Sequence, residues 1–320
     1  MIYYIGVTAV SFFAALVLGW LLIPLLRRLK IGQAVRDDGP KTHLVKSGIP
    51  TMGGVIFVLA AIAVSVFVIP RGNAQGYMLL FVMAAFGSIG FADDYIQVVL
   101  RQSLGLKARQ KLLGMGFVVA LTWIGLRLMQ IEPTILVPFY GTINLGHFYP
   151  LFIAFILVGT TNAVNLTDGV DGLASGASVI TLLTGMIIAR SAGLEGVALA
   201  AAALAGSVLG FMVFNLHPAR VFMGDVGSLA IGGAVAMVAI FTKTEIFLAL
   251  YGILYVVETI SVMIQVTYFK LTGRRVFLMA PIHHHFELKG WSEWKICRWF
   301  WALQLTGSIL GLLLWLGTVG

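Results

Sequence analysis

The sequence predicts an all-α integral membrane protein with about ten transmembrane helices. Three observations lead to this prediction. The 320 residues are 59% hydrophobic and only 11% charged, whereas soluble domains carry about 25% charged residues. Apolar runs of about the 20 residues that span a bilayer recur along the whole chain. The alternating pattern of a membrane barrel does not occur over these lengths.

Ten candidate spans account for most of the chain. They cover residues 2–25, 52–70, 77–98, 112–129, 151–166, 173–190, 196–214, 227–242, 246–269 and 298–317. The first run lacks a basic segment before it, so we interpret it as a retained helix rather than a signal peptide. The only cysteine is Cys297, which excludes an intramolecular disulfide. We expect one membrane domain over residues 1–320, with a short outer hairpin that turns at Tyr140 and Gly141.

Basic residues predict the orientation of this domain. Seventeen of the 21 Lys and Arg residues fall in the odd-numbered loops. The positive-inside rule places those loops in the cytoplasm and both termini on the periplasmic side. The loops that we expect to line a cleft on the cytoplasmic side are residues 26–51, 99–111, 167–172, 215–226 and 270–297. Orientation therefore explains the basic excess, and no nucleic-acid partner is expected.

The aspartates gather on the same face. The seven are Asp37, Asp38, Asp93, Asp94, Asp168, Asp171 and Asp225. The positive-inside rule concerns basic residues and does not explain this clustering. Carboxylates at membrane depth are costly and usually mark a function. A role as solvated helix caps stays open for any single aspartate but explains the whole set poorly.

Asp93 and Asp94 lie near the C-terminal end of the third predicted helix. The partial negative charge of that end disfavours carboxylates, and adjacent like charges repel. A capping role does not explain the pair. We expect a bound cation, or a lysine such as Lys107 or Lys111 folding back, to neutralise it.

Asn165, Asp168 and Asp171 follow each other at intervals of three. On a helix they would share one face, whereas Gly169 and Gly172 are equally consistent with a turn. Either way, we expect three oxygen-bearing side chains to converge at the cytoplasmic edge.

Asp225 precedes the eighth predicted helix and allows two interpretations. It is a good N-cap residue. The glycines on either side, Gly224 and Gly227, would also let a phosphate approach a helix N-terminus.

The histidines His283, His284 and His285 do not predict a zinc site, because adjacent histidines rarely reach one ion and cysteine partners are missing. A hard cation with aspartate ligands and substrate phosphates fits better, and magnesium is typical of such sites. We expect one or more histidines to contact phosphate or donate a proton. A polar loop that is rich in histidine is the alternative.

Basic residues, histidine and paired glycines also fill the first loop, residues 37–54. One face thus combines oxygen ligands, helix N-termini and basic side chains, which suits a diphosphate with its metal ion. A lipid phosphate as second reactant would explain why the site is embedded in a membrane. The residues therefore predict phosphoryl transfer between a soluble diphosphate and a lipid phosphate.

Five motifs resemble those of the phospho-N-acetylmuramoyl-pentapeptide transferase family, within the polyprenyl-phosphate N-acetylhexosamine-1-phosphate transferase superfamily. They are DDGPKTHLVKSGIPTMGG, FADDY, NAVNLTDGVDGL, NLHPARVFMGDVGSLAIGG and PIHHHFELKGW. The resemblance implies a Mg²⁺-dependent enzyme of the bacterial inner membrane that converts UDP-MurNAc-pentapeptide and undecaprenyl phosphate into lipid I and UMP. It also implies a homodimer.

The resemblance implies roles for individual residues. Asp93, Asp94, Asp225 and His283 would be catalytic, with Asp225 as the magnesium ligand. The substrate-binding residues would be Lys46, Lys111, Asn165, Asp168, Asp171, Asn215, Phe222, Gly224, His284 and His285. The family has a lysine where this chain has Gln97, and we expect Lys111 to supply that charge.

A phosphate monoester has a second pKa near 6 and is already largely dianionic at neutral pH. An ordinary aspartate, with a pKa of about 3.9, is a poor base for it. We therefore expect direct in-line attack by the lipid phosphate rather than deprotonation by Asp93. Three alternatives stay open: a GlcNAc-1-phosphate transferase, a catalytically silent scaffold, and an ion-coupled transporter, in which Glu258 would line an aqueous path.

Overall fold

A computed structural model describes residues 1–28, 48–100, 102 and 105–319. Its helices are α1 (Ile2–Arg28), α2 (Gly54–Val68), α3 (Ala74–Val98), α4 (Ala108–Leu128), α5 (Tyr149–Thr167), α6 (Leu173–Ser191), α7 (Glu195–Asn215), α8 (Gly224–Thr242), α9 (Leu248–Tyr251), α10 (Ile253–Thr272), α11 (Ile282–Leu288) and α12 (Glu293–Val319). In this part of the chain, nine helices are long and apolar enough to cross a membrane, and α2 is a shorter apolar helix. The predicted all-α, multi-pass membrane protein is confirmed.

A two-stranded hairpin connects α4 to α5. Strand β1 (Thr134–Val137) pairs antiparallel with β2 (Gly141–Asn144). The predicted hairpin is confirmed, and it lies at the opposite end of the bundle from the end of α3 and the start of α8.

Helices α7 and α8 form the centre of the bundle, because almost all of their residues are buried. Helices α1 and α6 pack on α7, while α3 and α5 pack on α8. Large apolar side chains remain exposed on the outer helices, as at Trp20, Leu128 and Trp299. Such an apolar outer surface suits contact with lipid rather than water.

Glycines allow α2 and α3 to approach the start of α8 at backbone distance. A Cβ atom on Gly90 of α3 would lie 2.1 Å from the carbonyl oxygen of Asp225, and one on Gly54 of α2 would lie 2.2 Å from the amide nitrogen of Gly227. The amide of Gly54 also donates to the carbonyl of Met223 at 2.8 Å. These approaches bring the predicted aspartates of two helices to one end of the bundle.

The ninth predicted helix, residues 246–269, is interrupted, and the single-helix prediction is wrong at this point. Gly252 separates α9 from α10. Backbone groups freed inside a membrane protein need internal partners. Gln304 of α12 supplies them, because its Oε1 accepts from the amide of Leu254 at 3.1 Å and its Nε2 donates to the carbonyl of Tyr251.

The chain after α10 folds back along that helix. The Oε1 atom of Gln265 accepts from the amides of Val276 and Phe277 at 3.0 and 2.9 Å. This return segment leads into α11, which was predicted as part of a loop. Helix α12 also begins five residues before the predicted start at residue 298.

Candidate active site

The site is centred on Lys111, which joins carboxylates of two helices. Its ammonium group lies 3.3 Å from Oδ2 of Asp93, near the end of α3, and contacts Oδ2 of Asp225, in the first turn of α8. The other oxygen of Asp93 accepts from the amide of Leu106 at 2.6 Å. Of the two expected ways to neutralise this pair, a bound cation or a lysine folding back, the structure shows a lysine, Lys111, beside Asp93.

Asn165, near the end of α5, completes the contacts of Asp225. Its Nδ2 atom donates to Oδ1 of Asp225 at 2.7 Å and to the hydroxyl of Ser228 at 2.9 Å. The carboxylate of Asp225 is therefore held by side chains from α4 and α5, which a simple N-capping role would not require. Ser228 was not predicted, although it lies in the quoted motif around Asp225.

The start of α8 explains how a carboxylate at position 94 is tolerated at the negative end of the α3 dipole. Its side chain is 5% exposed and its Oδ2 accepts from the amide of Val226, in the first turn of α8, at 3.2 Å. Since α8 starts where α3 ends, the carboxylate meets the positive end of a second helix dipole. We call Asp93, Asp94, Lys111, Asn165 and Asp225 the aspartate cluster.

Gly224, the first residue of α8, packs against the carboxylate of Asp94. Its φ of +71° is left-handed, and a Cβ atom there would lie 2.4 Å from Oδ2 of Asp94. Phe222, just before it, donates its amide to the carbonyl of Pro50 at 2.8 Å. The predicted phosphate approach at Gly224 stays a prediction, but the need for glycine is explained by the contact with Asp94.

The segment after α5 is a turn, so the helical alternative for Asn165, Asp168 and Asp171 is wrong. Helix α5 ends at Thr167 and α6 begins at Leu173. Asp168 is the C-cap of α5, and Asp171 contacts the loop after α7 rather than Asp225. Asn165 and Asp171 therefore bond to different partners, Asp225 and His217, rather than meeting each other as predicted.

Asp171 belongs to a second polar cluster. Its Oδ2 accepts from the amide of Ala219 at 3.0 Å and lies 3.2 Å from Nδ1 of His217. The same nitrogen lies 3.3 Å from Oε1 of Glu293, at the start of α12. Sequence reasoning missed both His217 and Glu293, although His217 lies in a quoted motif.

The cluster of Asp171, His217 and Glu293 is also a possible metal centre. Among the described residues, it is the group of three whose ligand atoms lie within 4.8 Å of one another. An imidazole with two carboxylates suits a transition metal better than magnesium, which prefers oxygen ligands and retained water.

Asn215 is the last residue of α7 and is buried. Its Nδ2 donates to the carbonyl of Val221 at 3.1 Å, and its Oδ1 accepts from Ser175 at 2.8 Å. These bonds fix the loop that leads to Phe222. A direct contact of Asn215 with substrate stays a prediction.

The three histidines lie on α11 in three different environments. His283 is fully buried, with Nδ1 3.1 Å from Oε2 of Glu258, so the structure does not show the predicted catalytic edge position. His284 Nδ1 lies 2.5 Å from Glu287. His285 accepts from the amide of Leu278 at 3.1 Å. Burial and the charge of Lys289 lower the pKa of His285, which favours the neutral ring.

A groove lies between α10 and the return segment. It has a volume of about 320 Å³, apolar walls that include Val262, Val266, Phe269 and Met279, and two basic residues, Lys270 and Arg275. An apolar groove with cationic groups is suited to an amphiphile that carries an anionic head.

Lys46 lies outside the described residues, so its predicted role in substrate binding stays a prediction. The same holds for the acids and bases of residues 29–47.

The aspartate cluster fits a magnesium ion by its chemistry. Asp93, Asp225 and Asn165 offer hard oxygen atoms, which magnesium prefers. The ammonium of Lys111 lies between the two carboxylates, so a positive charge already stands at this position. Asp225, with Asp93 beside it, would hold the ion.

Comparison with known proteins gives the family. The profile described as "Glycosyl transferase family 4" matches residues 76–243, and "Phospho-N-acetylmuramoyl-pentapeptide-transferase signature 1" matches residues 46–58. A phospho-N-acetylmuramoyl-pentapeptide-transferase of Geobacillus kaustophilus is 47% identical over 95% of both chains. The chain belongs to the phospho-N-acetylmuramoyl-pentapeptide transferase family.

Two further members of this transferase family agree with that assignment. The chain is 48% identical to a relative from Geobacillus thermodenitrificans over 95% of both chains. It is 49% identical to one from Desulforamulus reducens, over 95% of this chain and 93% of the relative. The family resemblance inferred from the five motifs is confirmed, and the profile matched over residues 76–243 includes every residue of the aspartate cluster.

Proposed function

We propose that the protein transfers phospho-MurNAc-pentapeptide from UDP-MurNAc-pentapeptide to undecaprenyl phosphate, giving lipid I and UMP for peptidoglycan synthesis. The observation that carries this proposal is the contact of Lys111 with both Asp93 and Asp225. It unites α3, α4 and α8 at one end of a membrane bundle, where a soluble nucleotide and a lipid phosphate can meet. The names of the relatives support the same reaction.

In this reaction an oxygen of the lipid phosphate attacks the phosphorus that carries the sugar. A new P–O bond forms, and the bond from that phosphorus to the bridging oxygen breaks. UMP leaves with the electron pair. Phosphoryl transfer depends mainly on positioning and charge stabilisation, so the cluster needs no covalent intermediate.

Each residue of the aspartate cluster has a different role in the proposed reaction. Asp225 and Asp93 would hold Mg²⁺, which neutralises charge on the diphosphate. Lys111 places a positive charge beside them, and Asn165 fixes the direction of Asp225. Asp94 holds the start of α8 in place. Phe222, Gly224, Asp168 and the exposed parts of His284 and His285 are the proposed contacts of the nucleotide and its phosphates.

The groove along α10 supports the proposal that the acceptor is a lipid phosphate. Its apolar walls suit an isoprenoid chain, while Lys270 and Arg275 suit a phosphate. We further propose that this end of the bundle faces the cytoplasm of a bacterium, that the protein lies in the inner membrane, and that it forms a homodimer.

Two rival functions have weaker support. A transporter would place Glu258 beside an aqueous path, but Glu258 is fully buried against His283. A GlcNAc-1-phosphate transferase would share the aspartates, but the matched signature is that of the muramoyl enzymes.

The direct test uses purified protein, labelled UDP-MurNAc-pentapeptide and undecaprenyl phosphate, with release of UMP as the readout. We expect UMP only with both substrates and Mg²⁺, and an Asp225→Asn variant should lose most activity. Turnover of UDP-GlcNAc instead would favour the related transferase. Full activity after removal of divalent cations by chelation would contradict the metal role.

A further inference from the structure

The pair formed by Glu258 and His283 is more deeply buried than the aspartate cluster, and Glu258 has no part in the proposed reaction. Both side chains are 0% exposed, and Nδ1 of His283 lies 3.1 Å from Oε2 of Glu258. The contact lacks hydrogen-bond geometry, and neither side chain has a hydrogen-bond partner among the described residues. The ring of His283 also contacts the ring of His284, with 4.1 Å between the ring centroids.

Burial makes the two side chains depend on each other. A buried polar group without a compensating neighbour is unfavourable in an apolar interior. Nδ1 of His283 lies 3.1 Å from Oε2 of Glu258, so removing either side chain leaves the polar atoms of the other buried without this neighbour. Glu258 thereby fixes where the ring of His283 lies.

The ring of His283 in turn supports the turn that joins α5 to α6. A Cβ atom on Gly169 would lie 2.2 Å from Nε2 of His283 and 2.8 Å from its Cε1. The ring thus packs directly against the backbone between Asp168 and Asp171. Any shift of His283 must change the space available to this turn.

We propose that Glu258 is a positioning residue, which acts through His283 to hold the turn of residues 168–172 in the conformation that receives the nucleotide. Glu258 lies on α10, His283 on α11, and the turn between α5 and α6, so the contact ties three separate elements together. His283 then has a supporting role from inside the protein rather than a direct contact with phosphate. The kinetic part of this inference rests on the proposed function.

The first test compares the wild type with Glu258→Gln, which keeps the shape of the side chain and replaces its carboxyl group with an amide. We expect KM for UDP-MurNAc-pentapeptide to rise about 10-fold, with a smaller change in kcat. A second substitution, His283→Gln, should add little to the effect of the first, because both remove the same contact. Additive losses, or a loss confined to kcat, would overturn the proposal.

A second readout does not depend on activity. Hydrogen–deuterium exchange of residues 168–172 should become faster in Glu258→Gln, while the outer hairpin of residues 134–144 keeps its wild-type rate. Gly169→Ala should produce the same local change with the pair intact, and Gly159→Ala is the matched control because its Cβ meets open space. Unchanged exchange at 168–172 in Glu258→Gln would refute the positioning role. A wild type that makes no lipid I would refute the proposed function instead and leave this measurement valid.

Discussion

Lys111 is one positive charge between two carboxylates from different helices, which makes it the residue whose charge is most directly testable. We predict that Lys111→Met, which keeps the length of the side chain, lowers kcat/KM by about 100-fold, as for loss of a group that stabilises transition-state charge. UMP release measures this loss. Arg109→Met is the control, because Arg109 is an exposed basic residue two positions away on α4. Equal losses in both variants would show that only general surface charge matters.

Glu245 lies at the opposite end of the bundle, just after α8, and it predicts a pH effect on stability. The residue is 4% exposed, and burial raises its pKa to about 7 from an ordinary value of 4.5. The folded protein therefore holds this proton more tightly than the unfolded chain does. Linkage then requires the stabilising effect to be present below pH 4.5 and to be lost as pH rises through 7.

The corresponding experiment compares thermal unfolding of the detergent-solubilised protein at pH 5 and pH 8. We predict that the wild type loses more stability over this interval than Glu245→Gln, whose neutral amide cannot titrate. Glu195→Gln is the control, because Glu195 is an exposed glutamate of the same end. A wild type and a Glu245→Gln variant with the same pH dependence would refute the assignment.

At the scale of elements, the crossing of α3 and α8 positions the aspartate cluster. We predict that Gly90→Ala removes activity and lowers the melting temperature, because the added Cβ would lie 2.1 Å from the carbonyl oxygen of Asp225. Backbone must move to admit it, and overpacking of this kind costs about 1–3 kcal/mol. Gly116→Ala on α4 meets nothing within 4 Å and should retain activity. A Gly90→Ala protein with wild-type turnover would show that the close approach is not needed.

The elements also show what the sequence could and could not predict. The length of the apolar runs was enough to predict the membrane helices. The need to neutralise two adjacent carboxylates was enough to predict a lysine such as Lys111 beside Asp93. The interruption at Gly252 was missed because its stability depends on Gln304, a partner about fifty residues later in the chain. The burial of His283 was missed for a similar reason, since Glu258 reads as an isolated polar residue until the chain folds back. Contacts between segments that are distant in the sequence thus determine where a helix is interrupted and which polar residues are buried, and a local sequence pattern does not contain these contacts.

At the scale of the whole molecule, the orientation in the membrane decides which reactants the aspartate cluster can meet. A nucleotide sugar is made in the cytoplasm, so the proposed function requires the cluster to face that side. The distribution of Lys and Arg predicts this orientation, and the outer hairpin should then face the periplasm. Each of the two membrane faces of the protein has exposed residues that can be replaced by cysteine and labelled from one side only.

Single-cysteine labelling tests the orientation directly. The native Cys297 is 1% exposed, so it should react little with a membrane-impermeant maleimide, whereas Tyr140 in the hairpin is 78% exposed. We predict that Tyr140→Cys reacts from the periplasmic side of intact inner membranes, and that Arg274→Cys, just after α10, reacts only in inverted vesicles. Wild-type protein treated with the maleimide is the control for Cys297, and it should stay unlabelled in both preparations. The reverse pattern would place the aspartate cluster on the side without nucleotide sugars, and the proposed reaction would then lack its donor.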